Sequence, residues 1–409
     1  MRLDALASLP YRRFWLGSMA SVGSTQLYFI AMAWLVFELS GSPLDLGFLG
    51  AAMALPTIAA TLVGGIVADR FNRRSILLVT TTGAAILLLL LALLDVTGVV
   101  RVWHVLVVSG LLGLVHGFDF PARSSIFPAL IQPHQMMSAV ALNSILWQGT
   151  RMILPAIGGL LIALTDTALV FALCSLGFLA MMWVLCSMQI AQDVVVGGGR
   201  PWREFAEGVK FVLQRRLFRV LILLTFSLHF FGTSYIQIMP VFADLLQSGE
   251  RGYGVLISVT GVGSVIGTLL IGQFQQSQRL GRVMLFSAGL SPCALFGFAL
   301  VTGVAPNASA AFGLASFFVM LSAALSSIFL VSSMTVLQLN VPDELRGRVM
   351  GIHSITFSLI ALGGLVAGVL ATAFTAPAAV MIGAAVVLAL VLWAMIRQRE
   401  VLDFDGRPL

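Results

Sequence analysis

Three polar side chains lie within long apolar stretches of this sequence, where each could bind an anion or another polar group. Arg151 lies about halfway along one stretch, and Gln26 and His229 lie at similar depth in two others. A charge in hydrocarbon costs at least about 2.5 kcal/mol, so an ionisable group at such a position marks a candidate functional site. We expect these three residues to contact a polar or anionic ligand. For Arg151 the alternative is a structural role, as partner of a carboxylate or of helix carbonyls.

A second set of side chains could carry a proton. His116 and Asp119 lie three residues apart, which places them on one face of a helix. His229 is a third candidate, because imidazole gains and loses a proton near neutral pH. No acidic residue lies in the middle of an apolar stretch. Each of the three candidates has the alternative of an ordinary capping, loop or core role.

Enzymatic chemistry is not indicated by any motif. The sequence has no glycine-rich phosphate loop, no His and carboxylate pairs at metal-ligand spacing and no nucleophile elbow. We therefore expect no enzyme activity, no catalytic residue, no cofactor and no metal site.

The elements that position these residues follow from composition. Of the 409 residues, 59% are hydrophobic and 10% are charged, whereas a soluble domain carries about 25% charged residues. The apolar runs at 14–37 and 76–94 are long enough to cross a bilayer, which takes about 20 residues. The net charge of +6 comes from short basic clusters between apolar runs, which argues against nucleic-acid binding. The composition predicts an all-α integral membrane protein whose partner is the lipid bilayer.

Turn residues and charges divide the chain into about twelve transmembrane helices. The predicted spans are 14–38, 44–69, 75–95, 102–120, 136–164, 167–190, 217–244, 252–275, 282–303, 308–337, 345–373 and 377–397. Apolar residues recur at helical spacing in the polar connection 192–216, which predicts an amphipathic helix at the membrane surface. The predicted domains are an N-terminal six-helix bundle (1–191), this cytoplasmic linker (192–216) and a C-terminal six-helix bundle (217–409).

Arginine and lysine positions predict the orientation. If the N-terminus is cytoplasmic, nearly all basic residues near span ends, Arg123 among them, fall on the cytoplasmic side, and the outer loops keep Arg101 and Arg251. Basic residues at span ends are retained on that side. We therefore expect both termini in the cytoplasm and the chain in the inner membrane of a bacterium.

The two halves of the chain repeat each other. A shift of 207 positions places Gly47 on Gly254, and a shift of 209 places Gly159 on Gly368. Repeats of this kind predict two pseudo-symmetric bundles, with a substrate site near the middle of the membrane at their interface.

A charged loop follows the second span. It reads Gly65-Ile-Val-Ala-Asp69-Arg70-Phe-Asn72-Arg73-Arg74. Asp69 can pair with neighbouring guanidinium groups and lie near a helix N-terminus, which would close the cytoplasmic side by electrostatics. The predicted gate consists of Gly65, Asp69, Arg70, Arg73 and Arg74, and the alternative is an anchor that only sets topology. Gln275 and Gln276 occupy the corresponding positions of the second half, so we expect a charge latch on one side.

This loop resembles the signature loop of the major facilitator superfamily, with Asn72 where that family usually has glycine. Further resemblance runs from Tyr11-Arg-Arg-Phe-Trp-Leu through Phe120-Pro-Ala-Arg-Ser to Val341-Pro-Asp-Glu-Leu-Arg-Gly-Arg-Val. Together these segments look like the branch that includes the bacterial enterobactin exporter and drug-efflux permeases. Leu154-Pro155-Ala-Ile-Gly158-Gly159 is similar to the antiporter signature, with Leu154 in place of its first glycine. Pro155, Gly158 and Gly159 permit a kinked helix and close helix packing.

We interpret the sequence as a secondary active transporter that works by alternating access. The resemblance implies export of a small amphipathic molecule, such as a siderophore, drug or metabolite, with the proton as coupling ion. The alternatives are an importer of a polar metabolite on the same fold, a lipid translocase and a membrane receptor without transport. We expect a monomer whose partners are its small-molecule substrate, protons and the bilayer.

Overall fold

A computed structural model describes residues 4–188, 201–274, 280–304, 306 and 310–402. Within these ranges, side chains are described except at 62–70, 127–128, 201–205, 273–274, 339, 343–344, 346–348, 350–351, 354–355 and 399–400. In this part of the chain, twelve helices are long and apolar enough to cross a membrane. The predicted all-α fold with about twelve spans is confirmed.

Helices account for both halves of the chain. The first half contains α1 (Leu9–Ser40), α2 (Pro43–Arg70), α3 (Arg73–Val96), α4 (Val102–Ile126), α5 (Met136–Leu164) and α6 (Thr167–Ser187). The second half contains α7 (Pro201–Gln214), α8 (Arg216–Ser227), α9 (Met239–Leu245), α10 (Gly249–Phe274), α11 (Leu280–Val304), α12 (Ala311–Asn340), α13 (Asp343–Ala373), α14 (Ala376–Arg397) and α15 (Arg399–Leu402). The starts of α3 and α11 are 207 positions apart, and those of α6 and α14 are 209 apart. These offsets equal the shifts found in the sequence repeat.

Two compact units divide the chain. Unit 1 comprises Met1–Gly41, Ala51–Gly198 and Glu250–Ser258, and unit 2 comprises Ser42–Gly50, Gly199–Gly249 and Val259–Leu409. Each unit therefore includes one short segment from the other half of the chain, at the start of α10 or of α2. The domain boundaries drawn from the sequence at residues 191 and 217 stay predictions.

Polar side chains cap corresponding helices in the two halves. Asp166 accepts a hydrogen bond from the Leu169 N–H at 2.7 Å where α6 begins, and Thr375 accepts one from the Ala378 N–H at 3.2 Å where α14 begins. Asn72 caps α3 in the same way. Such caps satisfy backbone N–H groups that have no partner within the helix. The caps explain why these helices begin where they do.

The seventh predicted span, 217–244, is not one continuous helix. After α8, a π-helical turn covers Leu228–Gly232 and a 3₁₀ segment covers Ser234–Ile238, before α9 begins. Gly363 of α13 lies so close to the Phe230 carbonyl that a Cβ atom would overlap it. The seventh span is confirmed at Arg216–Leu245, and packing against α13 accommodates an irregular backbone within it that hydropathy alone does not reveal.

Glycines bring pairs of helices into close contact within each unit. In unit 1, a Cβ atom on Gly159 of α5 would lie 2.8 Å from the Cα of Gly254 in α10. In unit 2, a Cβ atom on Gly47 of α2 would lie 2.8 Å from the Cα of Leu365 in α13. Backbones approach this closely at small residues, which is a common way for membrane helices to pack.

Two aromatic side chains tie α1 to α5. The Tyr11 hydroxyl donates to the Ala139 carbonyl at 3.1 Å, and Trp15 Nε1 donates to the Leu142 carbonyl at 3.2 Å. Both donors belong to the segment that begins Tyr11-Arg-Arg-Phe-Trp. Their bonds hold the start of α1 against α5. Residues of α1 also contribute to the site described next.

Candidate functional site

A bidentate ion pair lies inside unit 1. Arg123 Nε is 2.8 Å from Asp119 Oδ2, and Arg123 Nη2 is 3.1 Å from Asp119 Oδ1. The two residues are one turn apart on α4, and their side chains are 10% and 14% exposed. Charge-assisted bonds of this kind are about twice as strong as neutral ones. Because burial limits competition from water, removal of either partner would leave the other without compensation for its charge.

Hydroxyl groups from two neighbouring helices complete the bonding of this pair. Ser18 Oγ of α1 accepts from Arg123 Nη1 at 3.0 Å. Thr80 of α3 places its hydroxyl 3.3 Å from Asp119 Oδ1 and 3.1 Å from the Leu77 carbonyl. A hydroxyl has one proton to donate, so Thr80 divides it between the carboxylate and its own helix. The bonded group that contains Asp119 therefore joins α1, α3 and α4.

A small cavity lies beside the ion pair. It is lined by residues of five helices of unit 1, namely Ser21, Val22, Thr25, Tyr28, Ala84, Leu112, Val115, His116, Asp119, Arg123, Trp147 and Phe178. His116 makes no hydrogen bond to any described residue, and it lies one turn before Asp119 on α4. The free space holds roughly one or two water molecules. Water in this space would contact the Asp119 carboxylate and the His116 ring.

The structure groups some of the predicted site residues and separates others. His116 and Asp119 share the cavity in unit 1. Gln26 is half-buried on α1 and Arg151 is exposed on α5, and neither lines that cavity. His229 is buried in unit 2.

Arg123 was missed as a site residue because the fourth span was predicted to end at residue 120. The structure continues α4 to Ile126 through Pro121, so Arg123 lies on this helix and is buried, while the side of the membrane on which it lies stays a prediction. Proline often ends a helix, which misled the boundary. The spacing of Asp119 and Arg123, four residues apart with opposite charge, is a signal that could have revealed the pair.

A second polar cluster lies in unit 2 at the π-helical turn. His229 Nδ1 is 3.0 Å from the Thr356 hydroxyl of α13, and that hydroxyl donates to the His353 carbonyl at 2.6 Å. His353 is 2% exposed, and its Nε2 atom has no hydrogen-bond partner in the described part of the chain. Sequence reasoning did not name His353. A second imidazole within the apolar spans of the same half was the available signal.

The predicted cytoplasmic gate is described in part. Three of its members have side chains outside the described residues: Gly65, Asp69 and Arg70. Arg73 Nη1 donates to the Ser125 carbonyl at 3.2 Å, and Arg74 Nε donates to the Leu185 carbonyl at 2.8 Å. These carbonyls lie at the C-terminal ends of α4 and α6, which attract positive charge. Both arginines therefore hold helix ends together beside the loop.

The predicted helix-packing motif lies in the middle of α5. Pro155, Gly158 and Gly159 are all buried. The Ala156 N–H, next to the proline, donates to Ser258 Oγ of α10 at 2.7 Å. This bond satisfies a backbone group at a proline, as is common where membrane helices bend.

Known proteins resemble the chain over almost its full length. A family model described as "Transmembrane secretion effector" matches residues 3–406. The enterobactin exporter EntS of Shigella boydii serotype 18 (strain CDC 3083-94 / BS512) is 26% identical over 362 residues, which is 86% of this chain and 83% of that protein. EntS of Escherichia coli O1:K1 / APEC has the same identity over the same shares.

Two solved structures share the fold. The nucleoside transporter NupG superposes with a TM-score of 0.74 at 13% identity, over 95% of this chain and 98% of its own. A D-xylose-proton symporter superposes with a TM-score of 0.70 at 15% identity, over 100% of this chain and 99% of its own. At these identities the likeness establishes the arrangement of helices.

Proposed function

The chain belongs to the transmembrane secretion effector family, within the major facilitator superfamily of membrane transporters, and from this we propose that it exports a small amphipathic molecule in exchange for protons. The direction is supported by the resemblance to enterobactin exporters. The cargo is a siderophore, a drug or a metabolite of similar character. Transport proceeds by alternating access.

The ion pair of Asp119 and Arg123 is the observation that carries proton coupling. Binding of a proton to Asp119 neutralises the carboxylate, and the two bonds from Arg123 lose their charged acceptor. Loss of the proton restores the pair. Because Ser18 and Thr80 bring α1 and α3 into the same bonding, the proton changes contacts between three helices. A local charge change of this kind is how transporters and switches bias one packing over another.

His116 has a supporting role in this proposal. It lines the same cavity as Asp119, and imidazole both accepts and donates protons near neutral pH. We assign it the transfer of protons between the cavity and the carboxylate.

The contact with the cargo is proposed at residues that do not line the cavity in unit 1. Gln26, Arg151 and His229 stay our candidates for that contact. Arg151 is exposed and is the one charged residue of α5. Its guanidinium group suits an anionic or polar part of the cargo, as Arg is the side chain best matched to carboxylate and phosphate groups.

The orientation that we propose places both termini in the cytoplasm, in the inner membrane of a bacterium. It is supported by the concentration of basic residues at the span ends of one side. The loop with Asp69 then lies on the cytoplasmic side, where Asp69 and its neighbouring arginines stabilise the closed gate. The protein acts as a monomer.

Proton-coupled export can be tested in inside-out membrane vesicles that contain the protein and have an acidified interior. Enterobactin and ethidium serve as probes, one a siderophore and the other a lipophilic cation. Addition of a cargo to the outside should release protons from the interior, measured by recovery of a pH-sensitive dye. Vesicles without the protein are the control.

The same assay separates the alternatives. An importer coupled to protons would respond to cargo loaded inside the vesicle and not to cargo added outside. A lipid translocase would redistribute labelled lipid in vesicles without either probe. Uptake of a probe with no proton release would contradict proton coupling.

A further inference from the structure

The hydroxyl of Thr356 determines which nitrogen of His229 carries a proton. That hydroxyl has one proton, and it donates it to the His353 carbonyl at 2.6 Å. Its oxygen therefore accepts from His229 Nδ1, at 3.0 Å. A neutral His229 then has its proton on Nδ1 and a lone pair on Nε2. The ring is arranged as a base.

His353 supplies a second imidazole with unused bonding capacity. Its ring is 2% exposed, and Nε2 meets no hydrogen-bond partner among the described residues. Buried polar atoms are paired in most structures, so an orphan of this kind calls for an explanation. Proton binding would explain it, because an imidazole nitrogen that is not engaged in a hydrogen bond keeps its capacity to accept or release a proton.

Phe357 lies against both imidazole rings. Its centroid is 4.5 Å from that of His229 and 6.5 Å from that of His353. The negative face of an aromatic ring stabilises a nearby cation, and its positive edge packs favourably against the face of another ring. Phe357 is therefore placed to stabilise a proton on His229 and to stay in contact with His353.

Charged groups on the elements around the π-helical turn lie at the ends of their helices. They are Arg216 and Arg219 of α8, Arg282 of α11, Arg397 of α14, and Asp343, Glu344, Arg346 and Arg348 of α13, whose side chains lie outside the described part. Gly383 of α14 lies against the turn, and Arg397 is fourteen residues further along, roughly 20 Å away. Among the described residues of the adjoining segments, Tyr235 lies in the 3₁₀ segment and Asp244 near the far end of α9. No described carboxylate faces the two histidines, so a proton bound there is released readily once water reaches the site.

We propose that His229, Thr356 and His353 form one proton-binding site in unit 2, with Thr356 as the group that positions His229. The proton adds to the Nε2 lone pair of His229 or to the free nitrogen of His353, and leaves by breaking the same N–H bond. The site joins the π-helical turn to α13, so its charge bears on the break in the seventh span. The proposal deepens the proton coupling proposed above, and it rests on that function for its role in transport.

Nitrogen NMR of the purified protein tests the site without any cargo. The chain has five histidines, which keeps the spectrum of histidine-labelled protein in lipid nanodiscs simple to assign with single His→Gln variants. At about pH 9 the His229 ring should carry its proton on Nδ1. Thr356→Val should transfer that proton to Nε2. Thr302→Val is the matched control, since that buried hydroxyl bonds to the Phe298 carbonyl on α11.

Titration from about pH 9 to pH 5 tests whether the two rings act together. His229 should take up its proton in two steps, because a charge on either ring opposes a charge on the other. His353→Gln should leave one step, and His134→Gln, at an exposed position, should leave both.

Three results would overturn the proposal. They are a neutral His229 with its proton on Nε2 in the unaltered protein, rings that stay uncharged down to about pH 5, and a His229 curve that His353→Gln does not change. The first two are read from the unaltered protein once its spectrum is assigned, so a Thr356→Val or His353→Gln variant that fails to fold leaves that part of the test intact. If the two rings titrate together but the vesicles release no protons when cargo is added, proton-coupled export is rejected and the proton-binding site is retained.

Discussion

Unit 1 and unit 2 are built from equivalent helices, but they carry different side chains at equivalent positions. The bonded cluster of unit 1 consists of Ser18, Thr80, Asp119 and Arg123. A shift of 207 positions leads to Thr225, Ser287, Ser326 and Leu330 in unit 2. The hydroxyl positions keep a hydroxyl, whereas the carboxylate becomes a serine and the guanidinium becomes a leucine.

The counterpart cluster in unit 2 holds helices together without charge. Ser326 Oγ is 2.7 Å from Ser291 Oγ, which joins α12 to α11. In the opposite direction, shifts of 207 and 209 take His229 to Val22 and His353 to Ser144. Each unit therefore has titratable groups where the other has none.

This difference shows that the packing features recur in both halves of the chain, whereas the titratable side chains do not. Caps, small-residue contacts and helix lengths recur because both units must bury the same surfaces. A buried ion pair is costly to desolvate and is poor evidence for stability. Among the residues that the structure describes, such a pair occurs in unit 1, and a function explains it better than a requirement of folding does.

The largest effect is expected when one residue of the ion pair is replaced by the residue that unit 2 has at the equivalent position. Arg123→Leu leaves the Asp119 carboxylate buried and uncompensated, which should lower the free energy of unfolding by about 3–5 kcal/mol. The measurement is the yield of folded protein and its Tm in detergent. Arg219→Leu, at an exposed position of α8, is the control and should change stability little.

The double variant Asp119→Ser with Arg123→Leu completes that exchange. It should recover most of the lost stability, because no charge is then left unpaired. A double variant as unstable as Arg123→Leu would show that the pair is required for folding, and the comparison of the units would fail.

A smaller effect is expected at the packing that the units share. Gly159→Ala places a Cβ atom 2.8 Å from the Cα of Gly254, and overpacking of this kind should cost about 1–3 kcal/mol. Thermal unfolding gives the measurement. Gly149→Ala on the same helix is a matched control, since no heavy atom lies within 4 Å of its added Cβ. Equal Tm values for the two variants would show that the close contact between Gly159 and Gly254 does not contribute to stability.

The smallest effect is expected at the uncharged counterpart in unit 2. Ser326→Ala removes one buried hydrogen bond to Ser291, worth about 0.5–1.5 kcal/mol. Its Tm should fall slightly, and export should continue. Loss of proton release in the vesicle assay at an unchanged protein level would place coupling chemistry in unit 2 at this position.

Much of the architecture could be predicted because it depends on hydropathy and on turn residues. The twelve spans, the repeat offsets and the amphipathic α7 all follow from such patterns. The end of α4 was missed, since Pro121 is a helix breaker in water and is tolerated in a membrane helix. That one boundary hid Arg123.

The sites were harder to predict than the helices. Asp119 and His116 were found because they are titratable groups on one helix face. The bonds from Ser18 and Thr80 come from other helices, and sequence spacing does not reveal such contacts. His353 and the π-helical turn depend on how α13 packs against the seventh span, and a single sequence carries no direct signal for that packing.

Infrared difference spectroscopy on the purified protein tests the central claim most directly, since it needs no cargo. The claim is that Asp119 binds and releases a proton while Arg123 stays beside it. On a change from high to low pH, the unaltered protein should gain the C=O band of a protonated carboxyl group, and Ser326→Ala should gain the same band. Asp119→Asn, which keeps an acceptor for Arg123, should lose that band while its Tm shows a folded protein. A band of full intensity in Asp119→Asn would contradict the account.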